Sequence, residues 1–483
     1  MFEPTAEQRL IVEAARTTSS NLLVNSLAGC AKTTTLELIC KAVTGIPILS
    51  LAFNKRIADE MVKRLPSHVE CRTMNALGHR VWSQVIGKRL VVDSRKMHTI
   101  LTGLVKALPK RGQETAWEDF ADTLKWLRYA KRDGYVPPRW RLNATYSAGS
   151  FANWLEAYDD EPTGIQIHLI DAAMSASIEA AYAGGIDFDD QIYMPVVFGG
   201  SWPRYPLVLI DEAQDLSPLN HEMLARLVTR RLIAVGDPWQ SIYGFRGAVA
   251  NGMAALRERF SMRELTLSIT FRVPRAGVQR ARARVPHFQW APNAPEGEIV
   301  TLDEWNDENI PDGAAIICRN NAPLFSCALR LLASGRGVKL VGMDIGPNLV
   351  RIMRKLGPLT MSEADTLDAI QVWGKRELVR AKRAASVYDR IECLNVLVTG
   401  RPTLRDAITW TEDLFKRDGL IQLLSGHKAK GLEWDTVFHL DAWRIPSKFA
   451  KEGEEMEQEL NVRYVIETRF KERLFLVNME GWR

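Results

Sequence analysis

Two short segments carry residue types at spacings that suit phosphate chemistry. The first runs from Asn25 to Leu36 and reads N-S-L-A-G-C-A-K-T-T-T-L. In a phosphate-binding loop, backbone N–H groups at a helix N-terminus hold the phosphate oxygens, a lysine reaches the terminal phosphates and the next hydroxyl binds magnesium. Lys32 and Thr33 fit those two roles, with Ala28, Gly29, Cys30 and Ala31 forming the loop and Thr34 following it. The strict G-x-x-x-x-G-K-[ST] spacing is not met, because Ser26 and Ala31 stand where it has glycines. Taken alone, a lysine opening an ordinary amphipathic helix explains the run as well. The second segment, Leu207 to Asp215, reads L-V-L-I-D-E-A-Q-D. Four apolar residues followed by two acids put a carboxylate pair at a strand end. Asp211 suits a magnesium ligand, and Glu212 a base for an attacking water. A lone acid pair after an apolar run is often only a solvated strand end. Paired with Lys32 and Thr33, it points to nucleoside triphosphate hydrolysis.

The elements around these segments are those that would position them. Asn21–Asn25, Ile46–Ala52, Leu207–Ile210 and Leu232–Val235 read as short buried strands. Helical patterns follow, as at Lys32–Val43 and Asn54–Arg64. That alternation predicts an α/β fold with a mostly parallel sheet, whose ligands lie at the carboxyl ends of its strands. A largely helical, tryptophan-rich stretch from Trp82 to Gly185 interrupts it. A second α/β pattern starts near Leu265, with strands at Ala314–Ile317, Val338–Val341, Ile421–Leu424 and Thr436–Leu440. A basic helical stretch, Thr360 to Lys416, interrupts that one.

Bulk properties narrow the class without naming it. At 483 residues the chain is expected to form two to four compact units. No apolar run approaches the roughly 20 residues that span a bilayer, and Met1 to Leu10 lacks a signal pattern. A cytoplasmic chain with no membrane partner is therefore expected, nucleoid-associated in a bacterial or phage host. The six cysteines form no C-x-x-C pair and no histidine cluster accompanies them, so zinc, iron–sulfur and disulfide frameworks are not expected. A net charge of +5 suits nucleic acid and many small-molecule enzymes alike, so function has to come from sites.

A third segment, Ile233 to Ala248 (I-A-V-G-D-P-W-Q-S-I-Y-G-F-R-G-A), resembles motif III of the UvrD/Rep-like helicases of superfamily 1. Other segments follow in that family's order. Gln8 in T-A-E-Q-R resembles its adenine-reading Q motif, and Ala28–Thr33 and Asp211–Asp215 resemble motifs I and II. Ala52–Met61 is similar to motif Ia, Thr73–Leu77 to motif Ib, and Ile186–Gln191 to a segment that precedes motif II. Thr270-Phe271-Arg272 resembles motif IV, Ser425–Phe438 motif V and Val462–Leu476 motif VI. There are departures: Ala31 replaces a glycine, Asn75 replaces a frequent histidine, and Ala52 replaces a DNA-stacking aromatic unless Phe53 substitutes.

The resemblance implies two RecA-like lobes with helical insertions, and ATP with Mg²⁺ in a cleft between them. Lobe 1A would take residues 1–82 and 186–262, interrupted by a helical 1B insertion over 83–185. Lobe 2A would take 263–357 and 420–483, interrupted by a reduced helical 2B-like insertion over 358–419. Its basic middle, Lys375 to Arg383, would touch duplex phosphates or merely be solvated. Gln240 would sense the γ-phosphate, Phe271 stack on adenine, Glu433 lie near the ribose, and Arg272 and Arg469 neutralise the transferring phosphoryl group. Phe245 would stack on a base, with Tyr243 and Trp434 as weaker candidates. Thr73, Asn75 and His427 would also contact DNA, and Lys55, Arg246, Lys428 and Lys430 would meet phosphates or the cleft. The implied activity is a DNA-stimulated ATPase and helicase, moving 3′-to-5′ on single-stranded DNA and meeting single-strand/duplex junctions; a protein loading partner is unspecified. Two other readings stay open: a translocase that strips proteins from DNA, and a regulatory ATPase that binds a protein partner. A fused nuclease is not expected, since the chain ends soon after motif VI.

Overall fold

The first sheet forms around strands that are largely apolar and buried, as central parallel strands are, while its edge strands Val69–Thr73 and Arg263–Leu267 are more polar. The computed structural model describes residues 3–52, 55–155, 161–242, 252–341, 345–380 and 384–483. Six parallel strands lie in the order Val69–Thr73, Ile48–Ala52, Tyr205–Ile210, Val228–Gly236, Leu22–Ser26 and Arg263–Leu267. The registers Ile210↔Ala234 and Asn25↔Gly236 bring three central strands to one edge together. The residues that follow them (Leu27–Ala31, Asp211 and Asp237) therefore leave the sheet side by side.

A second sheet is parallel too, in the order Glu298–Leu302, Phe470–Val477, Trp434–Leu440, Ala315–Cys318, Ile421–Ser425 and Val338–Leu340. Contacts divide the chain into two units. One holds Ala31–Pro238 with both the Leu22–Ser26 and Arg263–Leu267 strands, the other Ser268–Arg483 with Leu27–Cys30 and Trp239–Ile242.

Three expectations change. Arg263–Leu267, expected to open the second lobe, pairs along Leu22–Ser26 and completes the first sheet. The helix Met74–Ile86 runs through the boundary expected after residue 82, and the insertion's ends meet further on, where Val91–Val92 pairs with Gly185–Ile186. The stretch 358–419, expected as a separate small unit, is built into the second unit's core. Its helices Glu363–Arg380, Ala384–Val398 and Leu404–Leu414 supply Ile370, Leu394, Leu397, Leu404 and Leu414 to the cluster that holds Ile316, Phe325, Leu423 and Phe438. Asp389 also accepts from the Asn321 backbone N–H at the start of the helix Asn321–Ala333.

The 1B-like stretch packs likewise, with Leu101, Trp126, Trp154 and Met174 in one apolar cluster with Leu49 and Val208 of the sheet. No helix among the described residues is long and apolar enough to cross a membrane.

Candidate functional site

The loop Leu27–Ala31 links the strand Leu22–Ser26 to the helix Lys32–Ala42. Its turn requires left-handed backbone at Gly29 (φ 73°) and at Ala31 (φ 57°). Gly29 is also confined by space: a Cβ there would lie 2.6 Å from Thr270 Oγ1 and 2.7 Å from Arg272 Cβ. Ala31 has a methyl group where the backbone favours glycine, and the loop bears that strain.

Lys32, at the first turn of its helix, points its Nζ to Glu212 Oε1 at 3.1 Å. Burial pulls the ammonium pKa down, but Glu212, Asp211 and Asp237 outweigh it and keep the lysine charged. Asp211 is buried at the end of its strand; burial, then the Glu212 carboxylate, push its carboxyl up to about 6 against the pull of Lys32. Glu212 adopts φ 53° and its backbone N–H donates to Asp211 Oδ1 at 2.8 Å. Gln214 donates to the Glu212 carboxylate, and its Oε1 accepts from the Asp237 N–H at 3.0 Å. Gly236 is what lets this side chain in, since a Cβ there would meet Gln214 Oε1 at 2.5 Å. Three strand ends thus hold one lysine and three carboxylates in a small volume.

Residues of the second unit complete the surroundings of Leu27–Cys30 and Trp239–Ile242. The Phe271 N–H donates to Gly29 O at 3.0 Å, and its ring is 47% exposed. The Ala28 N–H donates to the Tyr464 hydroxyl at 3.0 Å. Lys430 Nζ donates to Gln240 O at 2.8 Å and Asn461 Nδ2 to Ser241 O at 3.0 Å. Arg272 makes only a long contact to Glu433, 3.4 Å, and its buried Nε and Nη2 have no partner among the described residues. Glu433 also pairs with Lys471 at 3.1 Å. Its carboxyl is pushed up by burial but held lower on balance by Lys471 and Arg272.

Not every expected side chain arrives. Arg469 is 1% exposed and turned back to the end of the preceding helix Glu454–Glu467, donating to Val465 O at 2.8 Å and Thr468 Oγ1 at 3.0 Å. Gln8 is buried, with its Oε1 accepting from the Thr5 N–H and its Nε2 donating to Thr35 Oγ1 at 3.1 Å. These two bonds take one lone pair and one N–H of that amide. Trp434 is 7% exposed, in a strand beside Phe470, and is core, not a stacking ring. Thr73 caps the helix Met74–Ile86 and Asn75 Nδ2 donates to Phe188 O at 2.8 Å. Lys55 and Lys428 are exposed and His427 half-buried. Tyr243, Phe245 and Arg246 lie outside the described residues, as does Phe53. Tyr464, Lys471, Gln214 and the 61%-exposed Phe188 were not singled out from sequence. Each stood inside a recognised motif or beside one, and that proximity was the available signal.

Each unit by itself offers groups that suit phosphate or its metal. Orphaned guanidinium nitrogens on Arg272 call for anionic oxygens, and Thr33 and Asp211 offer the hard oxygen donors that magnesium takes. Residues 5–261 match the UvrD/REP helicase N-terminal domain, and residues 401–481 the UvrD-like helicase C-terminal domain. The chain belongs to the UvrD/Rep helicase family. Among relatives of this UvrD/Rep-family chain, F-box DNA helicase protein 1 of Schizosaccharomyces pombe is 24% identical over 98% of the chain and 57% of that protein. DNA helicase IV of Escherichia coli is 27% identical over 47% of the chain and 38% of that protein. ATP-dependent DNA helicase UvrD2 of Mycobacterium tuberculosis is 24% identical over 89% of the chain and 71% of that protein. The chain thus spans well under two thirds of the first two relatives.

Proposed function

We propose that this UvrD/Rep-family chain is a DNA-stimulated ATPase that translocates on single-stranded DNA and unwinds duplex. The observation that carries the reading is the grouping of Lys32, Asp211, Glu212 and Asp237 at three adjacent strand ends. Lys32 holds the terminal phosphates and gives up its pairing with Glu212 when it does so. Glu212, freed, orients a water and accepts its proton. Gln214 fixes the Glu212 carboxylate and, through Asp237, ties it to the neighbouring strand end. Thr33 and Asp211 are the donors for Mg²⁺, which when bound neutralises charge on the phosphate oxygens. Arg272 offers its unpartnered N–H groups to charge that grows in the transition state. Phe271 is the adenine platform, Glu433 faces the ribose, and Gln8 reads the base with its remaining amide valences. Arg469 acts only after leaving its present carbonyl partners.

Single-stranded DNA meets Thr73, Asn75, Lys55, His427 and Lys428, and the exposed Phe188 ring adds a stacking surface beside Asn75. Phe245, Tyr243 and Arg246 join that set on the family resemblance alone, which also supplies the 3′-to-5′ direction. Strand displacement on duplexes with 3′ or 5′ single-stranded tails, with phosphate release followed in parallel, tests the reading. Unwinding of the 3′-tailed substrate only is expected. ATP hydrolysis that ignores single-stranded DNA would instead favour a regulatory ATPase.

A further inference from the structure

Four charges buried in the first unit take no part in the chemistry above. Lys96, on the helix Lys96–Ala107, and Lys131, on the helix Phe120–Asp133, have side chains only 6% and 1% exposed. Lys96 Nζ lies 2.6 Å from Asp190 Oδ2 and donates to Ser177 O at 2.7 Å. Lys131 Nζ lies 2.6 Å from both Asp187 Oδ2 and Asp190 Oδ1. The aspartates also cap each other's backbone: Asp187 N–H donates to Asp190 Oδ2 at 2.9 Å and Asp190 N–H to Asp187 Oδ1 at 2.8 Å. Two cations thus face two anions, with Asp189 near enough to interact with them and Arg132 near enough to interact with Asp189.

Phe188 lies between these aspartates with its ring outward, and its carbonyl is held by Asn75. Next along the loop, the Gln191 carbonyl sits so close to Gly78 that a Cβ there would be 1.9 Å away. The turn 187–191 is therefore clamped from two sides: by ammonium groups underneath and by the helix Met74–Ile86 alongside. Desolvating buried ions often costs more than their attraction returns, so such a cluster is weak evidence of a stability role and better evidence of a geometric one. In this arrangement of the turn each ammonium group lies against at least one of the two carboxylates.

We propose that Lys96 and Lys131 are positioning residues by which the helical insertion sets the affinity for single-stranded DNA, holding the 187–190 turn so that Phe188 presents its ring beside Asn75. The proposal rests on the single-strand-binding reading above.

The test measures the concentration of an oligo-dT that half-maximally stimulates ATP hydrolysis. Phe188→Ala should raise it roughly tenfold, the loss of about one stacked base. The charge-balanced double variant Lys131→Met/Asp187→Asn leaves Lys96 paired with Asp190, and should raise it several-fold. Its DNA-free rate and its rate at saturating DNA should stay at the wild-type values. Combined with Phe188→Ala, the double variant should add little, because both act through one ring. Lys131→Arg, which keeps the charge and changes only its reach, is the milder second variant and should give a smaller rise; it decides the matter if the double variant does not fold. Wild-type half-saturation in a folded double variant, or a rise that adds in full to that of Phe188→Ala, overturns the proposal. If wild-type hydrolysis is not stimulated by oligo-dT at all, the single-strand reading fails and takes this proposal with it; stimulation with unaffected variants overturns the positioning role alone.

Discussion

Lys32 Nζ lies 3.1 Å from Glu212 Oε1, so the proposed phosphate-binding cation and the proposed base neutralise each other in this structure. A triphosphate that draws Lys32 away therefore also frees Glu212. Under the proposed roles, binding and activation of the base are one event.

Lys32→Ala removes the phosphate contact and leaves Asp211 and Glu212 without their shared cation. Nucleotide affinity should fall at least tenfold, about 1.4 kcal/mol, and hydrolysis should be abolished. Titration with a fluorescent ATP analogue checks the affinity. Unchanged affinity would mean that the loop binds phosphate through its backbone alone.

Arg272 and Arg469 should separate. Arg272 has nitrogens without a partner among the described residues, so Arg272→Ala should lower kcat by about 10³ with little loss of Tm. Arg469 is buried on the Val465 carbonyl and the Thr468 hydroxyl, so Arg469→Ala should lower both kcat and Tm. A thermal melt beside steady-state kinetics distinguishes them. An Arg272→Ala enzyme that changes only KM would place that residue in ground-state binding.

Ala31 holds φ 57° without being glycine. Relief of that strain outweighs the added freedom of the unfolded chain, so Ala31→Gly should stabilise the first unit by up to about 1 kcal/mol. Ala31→Val should destabilise it. Urea midpoints measure both, and a lower midpoint for Ala31→Gly would contradict the strain argument.

Glu467 gives the fold a pH dependence. Burial raises its pKa, but His439 and Arg280 more than offset this and bring it to about 2, from an ordinary 4.5. Arg280 binds it by two contacts, 2.6 and 3.0 Å. A depressed carboxyl stabilises the native state above its unfolded pKa, and that stability is lost as pH falls through the folded value. The contribution, on the order of 2–3 kcal/mol at neutral pH, should thus fade between pH about 4.5 and about 2. Arg280→Ala should lower neutral-pH stability and move acid unfolding to higher pH. Urea melts across that range would show otherwise if the variant and wild type lose stability in parallel.

The grouping of Lys32 with Asp211 and Glu212 was legible because these residues sit in contiguous runs: an apolar strand, then Asp211 and Glu212; another, then Lys32. Parallel strands deliver such runs to one edge, so local sequence carried the three-dimensional answer. Side-chain direction was not legible. Nothing in R-F-K-E-R shows that Arg469 turns back onto Val465, or that Gln8 spends half its amide on Thr5 and Thr35. Strand membership failed where composition misleads: Arg263–Leu267 carries three charged or polar residues yet closes the first sheet. The basic stretch near Lys375 read as an appended surface unit, because its charges are contiguous while Ile370, Leu394 and Leu404, which tie it to the core, are spread over three helices. Lys96 and Lys131 were invisible for the same reason, since a lysine's burial is decided by aspartates distant in sequence.

The most direct test of the account is Glu212→Gln, measured as phosphate release from ATP with and without saturating oligo-dT, beside nucleotide binding. The account predicts that the wild type is stimulated by DNA, and that Glu212→Gln still binds ATP yet loses hydrolysis by at least about 10². Hydrolysis by Glu212→Gln at near the wild-type rate would contradict it.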